Sequence, residues 1–186
     1  MVAGFIVIGV IVALLVVWAI ITWNQIVRLE NRIDNAWSQI DVQIKRRLDL
    51  IPNLVETVKG YAAHERETLE RVVQARQMAM DARGKGAQQE GQAQNMISDA
   101  LRQLFALAEA YPDLKANQNF LALQEELTAT EDRIAYARQF YNDAVLLFNN
   151  KIETFPGLLL KGSRRPRDMW EAPGLDRYTP PRVSFS

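Results

Sequence analysis

The sequence predicts an all-α protein, in which a single amino-terminal transmembrane helix continues into an antiparallel bundle of three to four long helices. Three observations predict it. The first 27 residues carry no charged side chain, while the remaining 159 carry all 22 Lys/Arg and all 22 Asp/Glu. Beyond that point apolar residues recur with a period near 3.6, and no stretch shows the sustained alternation that would demand a strand. The chain therefore divides into a short extracytoplasmic terminus (1–4), a transmembrane helix (5–23), a helical bundle (24–156) and a Pro- and Arg-rich, partly irregular tail (157–186).

Phe5 to Trp23 is a run of 19 uncharged residues, about 28 Å long as a helix, which matches a hydrocarbon core of about 30 Å. Trp18 and Trp23 fall toward its carboxy-terminal end, where amphipathic rings favour the membrane interface. A cleaved signal peptide fits less well, because the apolar run is too long, no basic residue precedes it and no small-residue cleavage site follows. Arg28, Arg32, Lys45, Arg46 and Arg47 lie on the far side of the span. Lys/Arg asymmetry of this kind puts the amino terminus outside and the bundle in the cytoplasm.

After the span, Ile26, Ile33, Trp37, Ile40, Ile44, Leu48, Ile51, Val55, Val58 and Ala62 mark one face of a long amphipathic helix. Pro52 interrupts it by removing a backbone donor, which predicts a kink or a restart capped by Asp49, with Asn53 serving the freed backbone groups. Gly60 ends this helix before His64. A shorter helix is expected from about Glu65 to Ala82, with Leu69, Val72, Val73 and Met80 on its apolar side, and it stops at Arg83-Gly84-Lys85-Gly86. The next helix is firm from Met96 and ends at Tyr111-Pro112. The last is a heptad helix: Phe120, Leu127, Ile134, Tyr141, Phe148 and Phe155 recur every seven residues, and Leu123, Thr130, Ala137 and Ala144 supply a second, mostly small position. This coiled-coil-like seam suits close antiparallel packing. Phe155-Pro156-Gly157 terminates it. At 1.5 Å per residue, helices of about 57, 27, 33 and 63 Å that alternate in direction return the chain to the membrane surface.

Composition narrows function. Without Cys there is no disulfide, thiolate nucleophile or Cys metal site. The single His64 begins His64-Glu65-Arg66-Glu67-Thr68, which lacks the second ligand of a metalloprotease helix, and one His cannot supply a di-iron bundle either. No phosphate-binding glycine motif is present. The expectation is a non-enzymatic protein without catalytic residues, metal or cofactor.

The candidate contact residues have competing readings. Arg46 and Arg47 could hold a partner's acidic groups, but pairing within the bundle is the simpler role. Glu125, Glu126, Glu131 and Asp132 are most simply a solvated face, or a contact for another copy. His64-Glu65 reads as a helix start, and Tyr61, Tyr111, Tyr136 and Tyr141 as core rings with hydroxyls at the rim. The tail holds six Lys/Arg against three Asp/Glu. Arg164, Arg165 and Arg167 in it are candidates for lipid headgroups, against the plainer reading of a solvated tail.

Several segments together resemble the LemA family of bacterial membrane proteins: Asn35 to Gln43 (NAWSQIDVQ), Lys45 to Val55 (KRRLDLIPNLV), Tyr61 to Glu65 (YAAHE), Glu109 to Ala116 (EAYPDLKA) and Tyr141 to Val145 (YNDAV). The resemblance spans Arg28 to Pro156. It implies one membrane anchor, a cytoplasmic antiparallel bundle and no established enzymatic activity. One branch of the family is associated with magnetosome membranes, so it also implies a role in organising or remodelling a membrane. The Arg- and Pro-rich stretch from Gly162 to Pro181 departs from the family pattern. The combined expectation is a membrane-anchored scaffold or interaction platform that binds lipids and either a second copy or another membrane protein, and no nucleic acid. The runner-up is a membrane-localised sensor or regulatory subunit of a signalling or proteolytic system, repacking at Pro52.

Overall fold

A computed structural model describes residues 2–170 and contains helices and connections, with no strand among the described residues. Helix α1 (Val2–Lys59) is followed by α2 (Arg66–Ala82), α3 (Ala87–Ala108), the single turn α4 (Pro112–Lys115), α5 (Gln118–Glu153) and the single turn α6 (Gly157–Leu160). The four long helices match the sequence expectation, and α4 and α6 are additions to it. Helix α3 begins at once after Gly86, whose φ of +103° is a conformation glycine adopts without strain.

The 58 residues of α1 form one uninterrupted helix, about 87 Å long. Its amino-terminal part packs against nothing, and side chains such as Phe5, Ile11 and Leu15 are all exposed. From Thr22 onward one face turns inward, and Ile26, Ile33, Ile40, Ile44, Leu48, Ile51, Leu54 and Val58 are buried. One helix thus supplies both a stretch of membrane-spanning length and the central rod of the bundle.

Helix α5 lies antiparallel along α1. Going down α1, Trp18 meets Phe155, Arg32 meets Phe140, Trp37 meets Tyr141 and Arg46 meets Glu126. The heptad residues Phe120, Leu127, Ile134, Tyr141 and Phe148 are buried, as are the small positions Thr130, Ala137 and Ala144. Phe155 departs from the pattern and is 72% exposed, because α5 has ended before it.

Helices α2 and α3 form the second close pair, and α2 also packs on α1. Their buried sides combine alanines, Ala75, Ala79 and Ala82 on α2 and Ala87, Ala93, Ala100 and Ala108 on α3, with Leu69, Val72, Ile97, Leu101 and Leu104. Toward the carboxy-terminal end of α2 the inward positions are alanines, and small side chains there let the backbones approach. Val73 and Met80, expected inside, are therefore exposed. Tyr61 and Tyr136 are likewise exposed rather than core rings, whereas Tyr141 is buried. Tyr111 is partly buried and its hydroxyl donates to Glu65 (2.8 Å).

Pro52 neither stops α1 nor causes a restart at Asp49. A proline at position 52 cannot donate to the carbonyl four residues earlier, that of Leu48. Arg76 of α2 takes the vacant place, its Nε donating to the Leu48 oxygen at 2.9 Å. Asn53, expected to serve this gap, points to solvent. The proline thus becomes a docking point that fixes α2 against α1.

Arg47 is the other polar anchor. Its side chain is 2% exposed, donates to Ser98 Oγ of α3 at 2.8 Å and pairs with Glu131 of α5. Ser98 in turn donates to Glu131 Oε1 at 2.8 Å, which ties three helices together. Burial pushes the guanidinium pKa down and the charge of Glu131 opposes this.

Two predictions follow from these anchors. Arg76→Ala strands the Leu48 carbonyl and should cost about 1–3 kcal/mol. In a Pro52→Ala background, where residue 52 can donate again, the same change should cost clearly less, and additive urea-unfolding energies would refute the coupling. Glu131→Ala leaves the Arg47 charge buried and should cost roughly 2–3 kcal/mol, a figure reduced for the half exposure of Glu131. Arg47→Met leaves only a carboxylate that can reach water and should cost less than Glu131→Ala in the same measurement.

Candidate membrane-proximal interface

The carboxy-terminal end of α5 and all that follows it gather at the amino-terminal third of α1. Helix α5 ends at Glu153, where the Thr154 hydroxyl donates back to the Asn150 carbonyl (2.6 Å). The turn through Pro156 brings Gly157 so close to α5 that a Cβ there would lie 1.8 Å from the Lys151 carbonyl oxygen. Only glycine permits this approach, and it lets α6 fold back toward α1. Phe155 then stacks near Trp18 at 5.9 Å, and Leu158 and Leu159 face outward. An exposed apolar cluster therefore sits beside the lower part of the span.

After α6 the chain reverses at Gly162 (φ +62°). Arg164 lies in the angle between α6 and α1, with its Nε donating to Glu30 Oε2 at 2.9 Å and its guanidinium 4.6 Å above the Trp23 ring. Arg167 lies 3.7 Å from the same Glu30. Arg165 points outward, with no ion pair among the described residues. The three arginines proposed from sequence for lipid headgroups thus separate: two are held by Glu30, and Arg165 is displayed. Most of residues 161–170 are exposed, but Arg164 and residues 167–170 are tied to α1 and α5. The remainder of the tail lies outside the described residues.

Residues 167–170 run along α5 as an extended strap. Asn149 and Arg167 exchange two hydrogen bonds, each 2.9 Å, through the Asn amide and the strap's own N–H and carbonyl. Asn142 does the same with Trp170, at 2.8 and 2.9 Å. The Tyr141 hydroxyl donates to the Asp168 carbonyl between them (3.0 Å). Two helical turns from Asn142 to Asn149 measure about 10.5 Å, and three extended residues measure about 10 Å, so the two clamps share one register. Trp170 is buried at the end of the strap, 5.7 Å from the Trp37 ring and against Gly91 of α3, where a Cβ would stand 2.9 Å from its Nε1.

Sequence reasoning noted Trp170 but missed Asn142, Asn149 and Gly91. The available signal was a pair of asparagines seven apart, each directly after a seam residue. The remaining candidates sit away from this end. Arg46 pairs with Glu126 (2.6 Å) and Arg47 with Glu131, so both arginines are held within the bundle, while Glu125 is exposed. Glu65 precedes α2 without a capping bond and accepts from Tyr111 instead. Among the described residues no group of three or more His, Asp or Glu side chains is arranged to hold a metal ion.

The LemA family model matches residues 36–185, which carries the match beyond Pro156 and into the tail. Protein LemA of Metamycoplasma hominis is 34% identical, over 71% of this chain and 60% of its own length. Magnetosome protein MamQ 2 of Paramagnetospirillum magneticum is 25% identical, over 83% of this chain and 66% of its own. Magnetosome protein MamQ of Magnetospirillum gryphiswaldense is 25% identical, over 75% of this chain and 61% of its own. The chain thus spans three fifths to two thirds of the length of these relatives. With its exposed apolar helix it is a membrane-associated helical protein, and the match over residues 36–185 shows that it belongs to the LemA family.

Proposed function

We propose that this protein is a single-pass anchor of the bacterial inner membrane whose cytoplasmic bundle serves, without enzymatic activity, as a scaffold or interaction platform that self-associates or binds another membrane protein. The observation that carries this reading is the continuity of α1, which makes the bare apolar stretch and the bundle's central rod one rigid piece. A bundle so joined is held at a fixed height above the bilayer. Phe155, Leu158 and Leu159 beside Trp18 then meet the interface, and exposed Arg165 faces the headgroups. Each such basic contact contributes about 1 kcal/mol on an anionic leaflet. The magnetosome names of two relatives are in keeping with work at a membrane.

The far side of the α1–α5 pair offers a contact surface. An open groove of about 600 Å³ runs between Ser38, Val42 and Gln43 on α1 and Asp132, Tyr136 and Ala137 on α5. Tyr136 is 76% exposed and Val42 61% exposed at its rim. Aromatic rings on otherwise polar surfaces are frequent anchors of protein contacts.

Two measurements test the proposal. Extracted in mild detergent, the full chain should show a protein mass at least twice 21.2 kDa, or co-purify with a stoichiometric membrane protein; a strict monomer without partners overturns the scaffold. Because the chain lacks Cys, Glu125→Cys introduces a unique label site on the bundle. A membrane-impermeant maleimide should leave it unmodified in intact cells and modify it after lysis, and labelling of intact cells would reverse the orientation.

A further inference from the structure

We propose that the groove between α1, α3 and α5 is a peptide-recognition site for an extended segment with a tryptophan three residues after its first clamped residue, and that its occupant exchanges between the chain's own residues 167–170 and the same residues of a second copy. The recognition is built from two different elements. Asn142 and Asn149 read main chain, each accepting one N–H and donating to one carbonyl, so they impose an extended conformation and a spacing of three residues. The pocket formed by Trp37, Gly91 and Tyr141 reads one large ring and admits it only because residue 91 has no Cβ. Together they resemble the way sheet edges and shaped pockets capture extended peptides elsewhere, here with side-chain amides on a helix in place of a strand edge.

Several observations select a second copy as the alternative occupant. The segment that fits this groove is this chain's own, so every copy carries both the site and its ligand, the condition for an exchange of elements between protomers. Gly162, Ser163, Arg165 and Pro166 are exposed, and the positive φ of Gly162 marks the joint about which the strap departs from α6. Nine peptide steps from Lys161 to Trp170 reach about 30 Å when extended, some three helix diameters, enough to enter a neighbouring bundle. Glu30, which holds Arg164 and Arg167, is also present in every copy. A tethered strap competes at an effective concentration of about millimolar, so exchange belongs to densely packed copies in one membrane. The inference rests on the self-association proposed above and names the contact that would make it.

The experiment uses full-length protein in detergent and a labelled, amidated peptide of residues 161–170. Trp170→Ala, which empties the pocket, should bind the peptide saturably, and the native chain should bind it at least about tenfold more weakly because its own strap competes. Adding Asn142→Ala and Asn149→Ala to Trp170→Ala should abolish binding, and a peptide with Trp170→Ala should not bind. Equal binding of both peptides, or none by a helical Trp170→Ala chain, overturns the site. Exchange is read separately with Trp170 intact. Chains bearing Asn149→Cys and chains bearing Arg167→Cys, mixed in bilayers, should form mixed disulfide dimers that increase with protein density and exceed either like-with-like dimer. Mixed dimers no more abundant than like pairs overturn exchange. Oligomers that persist when strap and clamps are both removed overturn exchange as the contact that makes the self-association while leaving the scaffold standing, whereas a native chain that is monomeric at every density removes both.

Discussion

The antiparallel seam between α1 and α5 is the constraint on which the other features depend. It begins where Arg46 meets Glu126 and ends where Trp18 meets Phe155, so it fixes the register of a 36-residue helix against a 58-residue one. Alternating bulk makes this register specific: Tyr141 and Phe148 alternate along the buried face with Ala137 and Ala144, and a slip of one position would turn these side chains about 100° away from α1. Because the seam is antiparallel and α5 is long, the carboxy-terminal segment is delivered to the one part of α1 that the bundle otherwise leaves bare. The closing turn, the Glu30 pairs and the strap all follow from that delivery.

The second pair, α2 and α3, attaches to the seam less intimately. Backbones approach closely between α1 and α2, but α3 meets α1 and α5 chiefly through side chains. In that wider space lie Arg47 with Ser98 and Glu131, and nearer the membrane the Trp170 ring against Gly91. Glu90 is buried in the same helix and accepts the Gly84 N–H at 2.7 Å, burial holding its carboxyl above the usual range. A gap filled by polar groups and one tethered ring differs from an apolar interior in a useful respect. Its pieces fit through directional hydrogen bonds, so they specify one arrangement.

The elements that could be read from sequence are those whose signal is periodic. The 3.6-residue face of α1 and the heptads of α5 both predict their buried residues closely, since bulk facing a partner must recur with the helix. The face of α2 was misread at Val73 and Met80 because, beyond Leu69 and Val72, its inward positions are the alanines Ala75, Ala79 and Ala82, which hydrophobicity barely distinguishes. Pro52 correctly announced a freed carbonyl, but its partner, Arg76, lies 28 positions from Leu48 on another helix. No local pattern contains that pairing. The strap was obscure for the same reason, as composition marks Pro- and Arg-rich sequence as loop, while the order observed comes from asparagines 18 and 28 residues earlier.

Charge distribution brings these points together at the membrane. Net charge is zero for the whole chain and +3 for residues 157–186, which read from composition alone makes the tail an electrostatic anchor. In the folded chain Glu30 takes up Arg164 and Arg167, leaving Arg165 and the exposed apolar cluster of Phe155 and Leu159 to face outward. An ion pair between partly exposed groups is worth little in water, about 0–1 kcal/mol, and a headgroup contact for a basic side chain is worth about as much. The two destinations for Arg164 and Arg167 are therefore nearly balanced in Coulomb terms, and what tips them inward is the non-ionic clamp by Asn142, Asn149 and the Trp170 pocket. Holding the strap in place thus keeps both guanidinium groups at Glu30, and under the exchange proposed above its release would return two positive charges to the base of the bundle.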